Sequence, residues 1–162
     1  MDHINAEALN KALKCIMRRD MSRAELHEKL TAQGLNECDA HDIISYLIEK
    51  KWYSEEKSAR ELTEAKIRNS HASPAYITRF LLDKHFDPLV IEQTVGSLFS
   101  HDSEKQLALV NAQKKISALQ KKYSNDSAKT NKIRTALQRF LAQRGFSEPI
   151  CEDVVNTLLT EE

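Results

Sequence analysis

The sequence predicts an all-α protein, three tandem three-helix repeats forming an elongated molecule whose curvature is left open. Three observations carry this expectation. First, the stretch at 22–35 is written again at 73–86 and 133–146 without a gap, so that Leu26, Ile77 and Leu137 align, then Leu30, Leu81 and Leu141, then Gly34, His85 and Gly145. The register runs on to Leu47, Leu98 and Leu158, and such self-similarity is the mark of a repeat architecture. Second, the apolar residues fall at helical and not alternating spacing. Third, only three Gly and three Pro occur while 30% of residues are charged, which suits helices with one solvated face.

The repeated stretch reads as helix, stop, helix. Leu26 and Leu30 share a face four residues apart. Gly34 can adopt the left-handed conformation that ends a helix, with Leu35 folding back on the last turn. His85 stands in the glycine position of the middle copy, which weakens that cap or requires another.

In order, residues 6–19 carry Leu9, Ala12, Leu13 and Ile16 at helical spacing and end in two arginines that suit the negative end of a helix dipole. Ser22 is a candidate N-cap, with Glu25 placed to complete a capping box. A third helix is expected over 37–51, its buried face made by Ala40, Ile43, Ile44 and Leu47. Trp52 and Tyr53 can close the first core, and Ser54 can cap a helix over 55–69 whose stripe, Ala59 and Leu62, is weak. A turn at 69–74 leads to Pro74, allowed in a first helical turn. The sixth helix starts near Pro88 and contains Gly96, at a cost of about 1 kcal/mol relative to Ala unless another backbone packs there. Ser100 to Ser103 opens the longest helix, about 22 residues with a stripe of Leu107, Val110, Ile116, Leu119 and Tyr123. Residues 124–127 break it. The expected units are 1–51, 52–100 and 101–162, each small and steadied by its neighbours.

No apolar run reaches the roughly 18 to 20 residues that span a bilayer, and residues 1–4 lack the basic and apolar regions of a signal peptide, so a soluble cytoplasmic protein without a membrane partner is expected. Cys15, Cys38 and Cys151 form no Cys-x-x-Cys pair and read as reduced, buried or half-buried thiols.

Net charge is zero, but its distribution is uneven. Residues 105–144 hold ten Lys or Arg against one acid, Asp126, a local charge of +9, while 147–162 hold five acids and no base. A merely solvated helix usually mixes both signs, so the imbalance points to a partner surface. Lys114, Lys115, Lys121, Lys122, Lys132, Arg134, Arg139 and Arg144 are its candidate contacts, to acidic protein or to phosphate. Arg18, Arg19 and Arg23 form a smaller cluster in the first unit, and Arg68 and Arg79 another in the second.

Catalysis finds little support. There is no phosphate-cradling glycine loop, no His-Glu-x-x-His and no Gly-x-Ser-x-Gly, and the six His never recur at ligand spacing. No catalytic residue, cofactor or metal is expected. A generic helical DNA-binding module is the remaining rival, since such modules are also small and trihelical.

Four pieces in order resemble the RecX family, regulators of the RecA recombinase. They are Ser22-Arg-Ala-Glu-Leu with Lys29-Leu and Gly34, then Trp52-Tyr-Ser-Glu-Glu-Lys57-Ser-Ala59, then Ser73-Pro74 with Ile77, then Lys132-Ile-Arg with Arg139-Phe-Leu and Arg144-Gly-Phe146. The resemblance covers nearly the whole chain. It implies a monomer of three-helix units that lies along the groove of a RecA filament on single-stranded DNA and alters its assembly, ATP hydrolysis and strand exchange. DNA itself, single- or double-stranded, is a further candidate ligand. The chain departs from the family at Ser58, where an aromatic is usual, at the middle turn, where two glycines are missing, and at Tyr76, where Arg is usual. Tyr76 is expected to pack against the chain or, as the alternative, to stack on a base.

Overall fold

In the computed structural model the described residues are 5–125 and 127–160. The N-terminal reading on 1–4 and the acids Asp126, Glu161 and Glu162 lie outside them. Among the described residues there are nine α-helices and no strand, so the all-α expectation holds. They are α1 (Ala6–Arg18), α2 (Arg23–Ala32), α3 (Glu37–Glu49), α4 (Glu55–Ser70), α5 (Pro74–Asp83), α6 (Pro88–Leu98), α7 (His101–Lys122), α8 (Lys129–Gln143) and α9 (Glu148–Thr160).

Local chemistry sets these limits. Asn5, Ser22, Asn36 and Ser100 each accept a backbone N–H of the first turn that follows, at α1, α2, α3 and α7. The box at α2 differs from expectation: the Glu25 carboxylate is drawn to Arg19 and lies 3.7 Å from Lys29. At α7 the reciprocal box is formed by Ser100 and Ser103. Helices α2, α5 and α8 end alike. The N–H groups of Leu35, Phe86 and Phe146 donate to the carbonyls of Leu30, Leu81 and Leu141 at 3.2, 3.1 and 3.2 Å. The residue before each is left-handed, Gly34 at φ 90°, His85 at 58° and Gly145 at 82°, so His85 makes the same cap as the glycines despite its Cβ.

The described residues form two compact groups, one of 5–65 with 79–94 and the other of 66–78 with 95–160. In the first group, Leu26 and Leu30 of α2 meet Ala40, Ile43, Ile44 and Leu47 of α3, with Ala8, Ala12 and Met21 beside them. Tyr53 closes this core and its hydroxyl donates to the Met21 carbonyl at 3.0 Å. Trp52 does not share that role. It is 53% exposed, edge-on to Tyr46 at 6.0 Å, because Lys51 turns left-handed and carries it outward.

In the second group, Ile133, Leu137 and Leu141 of α8 pack with Ile150, Cys151, Val154 and Val155 of α9 against α7. The expected stripe on α7 is only partly right. Leu119 is buried, but the positions sunk deepest are Ala108 and Ala112, which let neighbouring backbones approach, while Leu107, Ile116 and Tyr123 flank them. Each fully buried Leu or Ile contributes roughly 1.5–3 kcal/mol. The threefold division at 1–51, 52–100 and 101–162 describes the repeat and is a proposal distinct from this grouping.

Candidate functional site

In the first group, Arg18 ends α1 and Arg19 follows it, both exposed. With Lys29, Cys15, Ala32 and Gln33 they line a cleft of about 520 Å³. Glu25 compensates part of that charge by pairing with Arg19 and Lys29. Arg23 opens α2; its backbone N–H donates to the Glu55 carboxylate at 2.9 Å and its side chain borders a second cleft with His27, His41 and Ile44. Arg79 is exposed on α5. Arg68, expected to cluster with Arg79, belongs to the other compact group, exposed in the last turn of α4.

The second group holds the remaining predicted cations. Lys114, Lys115, Lys121 and Lys122 are exposed along α7. The i,i+7 spacing puts Lys115 and Lys122 on one side of the helix, and each lies over an aromatic ring, Lys115 at 5.6 Å from Phe140 and Lys122 at 5.0 Å from Tyr123. Lys132 and Arg139 share a cleft of about 520 Å³ with Tyr123, Asn131, Thr135 and Ala136, with no carboxylate among the described residues that line it. Arg134 is turned instead to α9, where it donates to the Asn156 side chain.

Arg144 is held from three sides. Its Nη1 donates to Asn111 Oδ1 at 2.9 Å, its guanidinium lies 4.7 Å from the centre of the Phe140 ring, and its carbonyl accepts from the Ser73 hydroxyl at 2.7 Å. Asn111 is itself buried and donates to the carbonyls of Leu107 at 2.8 Å and His71 at 3.0 Å. Sequence reasoning missed Asn111. Its only signal was a polar residue one position after Val110 in an apolar stripe, and nothing in the sequence names its partners.

The thiols differ from expectation at one place: Cys15 is half-buried and Cys151 buried, but Cys38 is exposed on α3. Burial pushes the Cys151 thiol up, with Glu104 and Glu148 acting in the same direction, so it stays a protonated core side chain. Among the described residues no group of three or more His, Cys, Asp or Glu comes together to hold a metal ion. No helix among them is long and apolar enough to cross a membrane.

The chain as a whole is similar to known proteins. A family model described as RecX, first three-helix domain, matches residues 8–47. The chain is 28% identical over 151 residues to the regulatory protein RecX of Clostridium botulinum (strain Eklund 17B / Type B), covering 93% of this chain and 68% of that one. It is 27% identical over 157 residues to the regulatory protein RecX of Chlorobium limicola, covering 97% and 92%. The crystal structure of RecX from Lactobacillus salivarius superimposes with a TM-score of 0.82 at 22% identity, over 94% of this chain and 95% of that one, a likeness of fold.

Proposed function

The chain belongs to the RecX family, and on that premise we propose that it is a non-catalytic regulator of the RecA recombinase, binding along the groove of the RecA filament on single-stranded DNA. The observation that carries the mechanism is the row of exposed lysines on α7, continued by Lys132 and Arg139 on α8, in a stretch whose sequence holds ten bases and one acid. A filament on single-stranded DNA presents phosphate with protein beside it. A surface of spread cations can engage both without a catalytic centre. Bound across several protomers, the chain would alter filament assembly, ATP hydrolysis and strand exchange.

The test is cosedimentation with preformed RecA filaments on single-stranded DNA over a salt series. A filament regulator stays with the filament at salt that strips it from bare DNA. The second reading, a helical-repeat protein acting on DNA without RecA, is favoured by the same lysines. It predicts that both interactions vanish together, because phosphate binding falls steeply with salt.

A further inference from the structure

Within the second compact group, the segment entering α5 lies against the end of α8. Ser73 caps α5 by accepting from the Tyr76 N–H at 3.2 Å while donating to the Arg144 carbonyl at 2.7 Å. Beside this joint is a cleft of about 240 Å³ bordered by His71, Ser73, Tyr76, Gln143 and Arg144, with no carboxylate among the described residues that line it. Tyr76 is 45% exposed, and the Lys66 ammonium lies 5.8 Å from its ring centre. Arg144 is aimed by buried Asn111 and by the Phe140 ring, and the Lys115 ammonium sits over that same ring.

Three features of this place select a ligand. The cations Lys66, Lys115 and Arg144 alternate with the aromatic rings Tyr76 and Phe140, the composition of surfaces that take unpaired nucleotides. A purely acidic peptide needs the charges and has no use for an exposed ring. The volume is below the roughly 300–1,000 Å³ of pockets that enclose a whole small ligand, so it suits one planar base with its strand outside. Gln143 and His71 offer polar atoms at the edge of that plane.

We propose that this cleft is a nucleotide subsite for single-stranded DNA, in which one base stacks on Tyr76 and the adjoining phosphate meets the Arg144 guanidinium and the Lys66 ammonium. The fixed guanidinium loses little freedom on binding. The subsite requires no RecA, so it stands or falls separately from filament regulation.

The experiment titrates the full chain into a fluorescent oligothymidylate carrying one 5-iodouracil, followed by irradiation and peptide mapping. The photoproduct is expected on Tyr76, with Tyr76→Leu weakening binding about tenfold and Tyr76→Phe staying within about twofold, since any ring supplies the stack. The salt slope of Tyr76→Leu should match the parent, because the phosphate contacts remain. Tyr76 is half-exposed, so helix content and melting of both variants should be unaltered. Unchanged affinity of Tyr76→Leu, a photoproduct confined to other residues, or an equal dependence on Tyr76 for a duplex of the same length or for polyglutamate would each overturn the assignment.

Discussion

The Ser22 hydroxyl donates to the Lys84 carbonyl at 2.7 Å across 62 residues of sequence. The same oxygen accepts the Glu25 N–H at 3.1 Å, so one hydroxyl both starts α2 and ties it to the end of α5. Ser73 does the same for α5 and α8, accepting from Tyr76 and donating to Arg144 across 71 residues. In both cases the residue after the accepting carbonyl, His85 or Gly145, is left-handed. The longer separation in the second case leaves the joint unaltered, so the extra length is accommodated elsewhere.

Removing either buried hydroxyl takes a partner from a helix N-terminus and from a part-buried hydrogen bond to a carbonyl together. Ser22→Ala and Ser73→Ala should each cost about 1–3 kcal/mol, against about 1 kcal/mol or less for Ser54→Ala, whose hydroxyl caps α4 and otherwise reaches only Glu56. Urea unfolding followed by circular dichroism of the three variants checks the ranking.

Two left-handed positions and one helical glycine give three stability changes of known sign. His85→Gly relieves a side chain at φ 58° and should stabilise by about 1 kcal/mol. Gly145→Ala should destabilise by more than about 1 kcal/mol, since its Cβ would lie 2.9 Å from Ser73 Oγ as well as at positive φ. Gly96→Ala meets nothing within 4 Å in the last turn of α6 and should stabilise by up to about 0.5 kcal/mol. Melting temperatures of the single variants are the measurement.

Burial first, and the neighbouring Glu55 second, push the Tyr53 phenol well above its ordinary value of 10.0. The folded state therefore keeps a proton that the unfolded chain releases above pH 10, so this contribution is whole below pH 10 and is lost as pH rises beyond it. Tyr53→Phe should cost about 1 kcal/mol at neutral pH through the lost bond to Met21, and the deficit should shrink above pH 10. Denaturant midpoints of parent and variant at pH 7 and above 10 decide it.

Much of this fold was legible because its signals are local. Ser22, Ser100 and the Leu26/Leu30 spacing announce helix starts and buried faces from a few neighbouring residues, and the aligned Gly34 and Gly145 announce the stops. What was not legible is long-range. A capping serine looks the same whether or not its hydroxyl reaches another helix, so the Ser22 to Lys84 and Ser73 to Arg144 joints gave no warning. Likewise Arg144 read as one cation among ten, and only the buried Asn111 beneath it shows that its guanidinium is aimed. Trp52 misled for the opposite reason: large apolar residues are usually placed inside, but a left-handed Lys51 ahead of it decides otherwise.

Reversing Lys114, Lys115, Lys121 and Lys122 to Glu tests the candidate surface as a whole. All four are exposed on α7, so each change should alter stability by no more than about 1 kcal/mol, the larger values at Lys115 and Lys122 over their rings. Affinity for the RecA filament should fall about tenfold or more, chiefly through slower association. Filament cosedimentation and a thermal melt of the same preparation give both numbers.

The most direct measurement is the rate of ATP hydrolysis by RecA on single-stranded DNA as this protein is titrated in, with light scattering recording filament mass in the same cuvette. The account predicts that both change in a saturable way with the parent chain and much less with the four-lysine reversal. Hydrolysis and filament mass that stay constant at several-fold excess of the parent chain would contradict it.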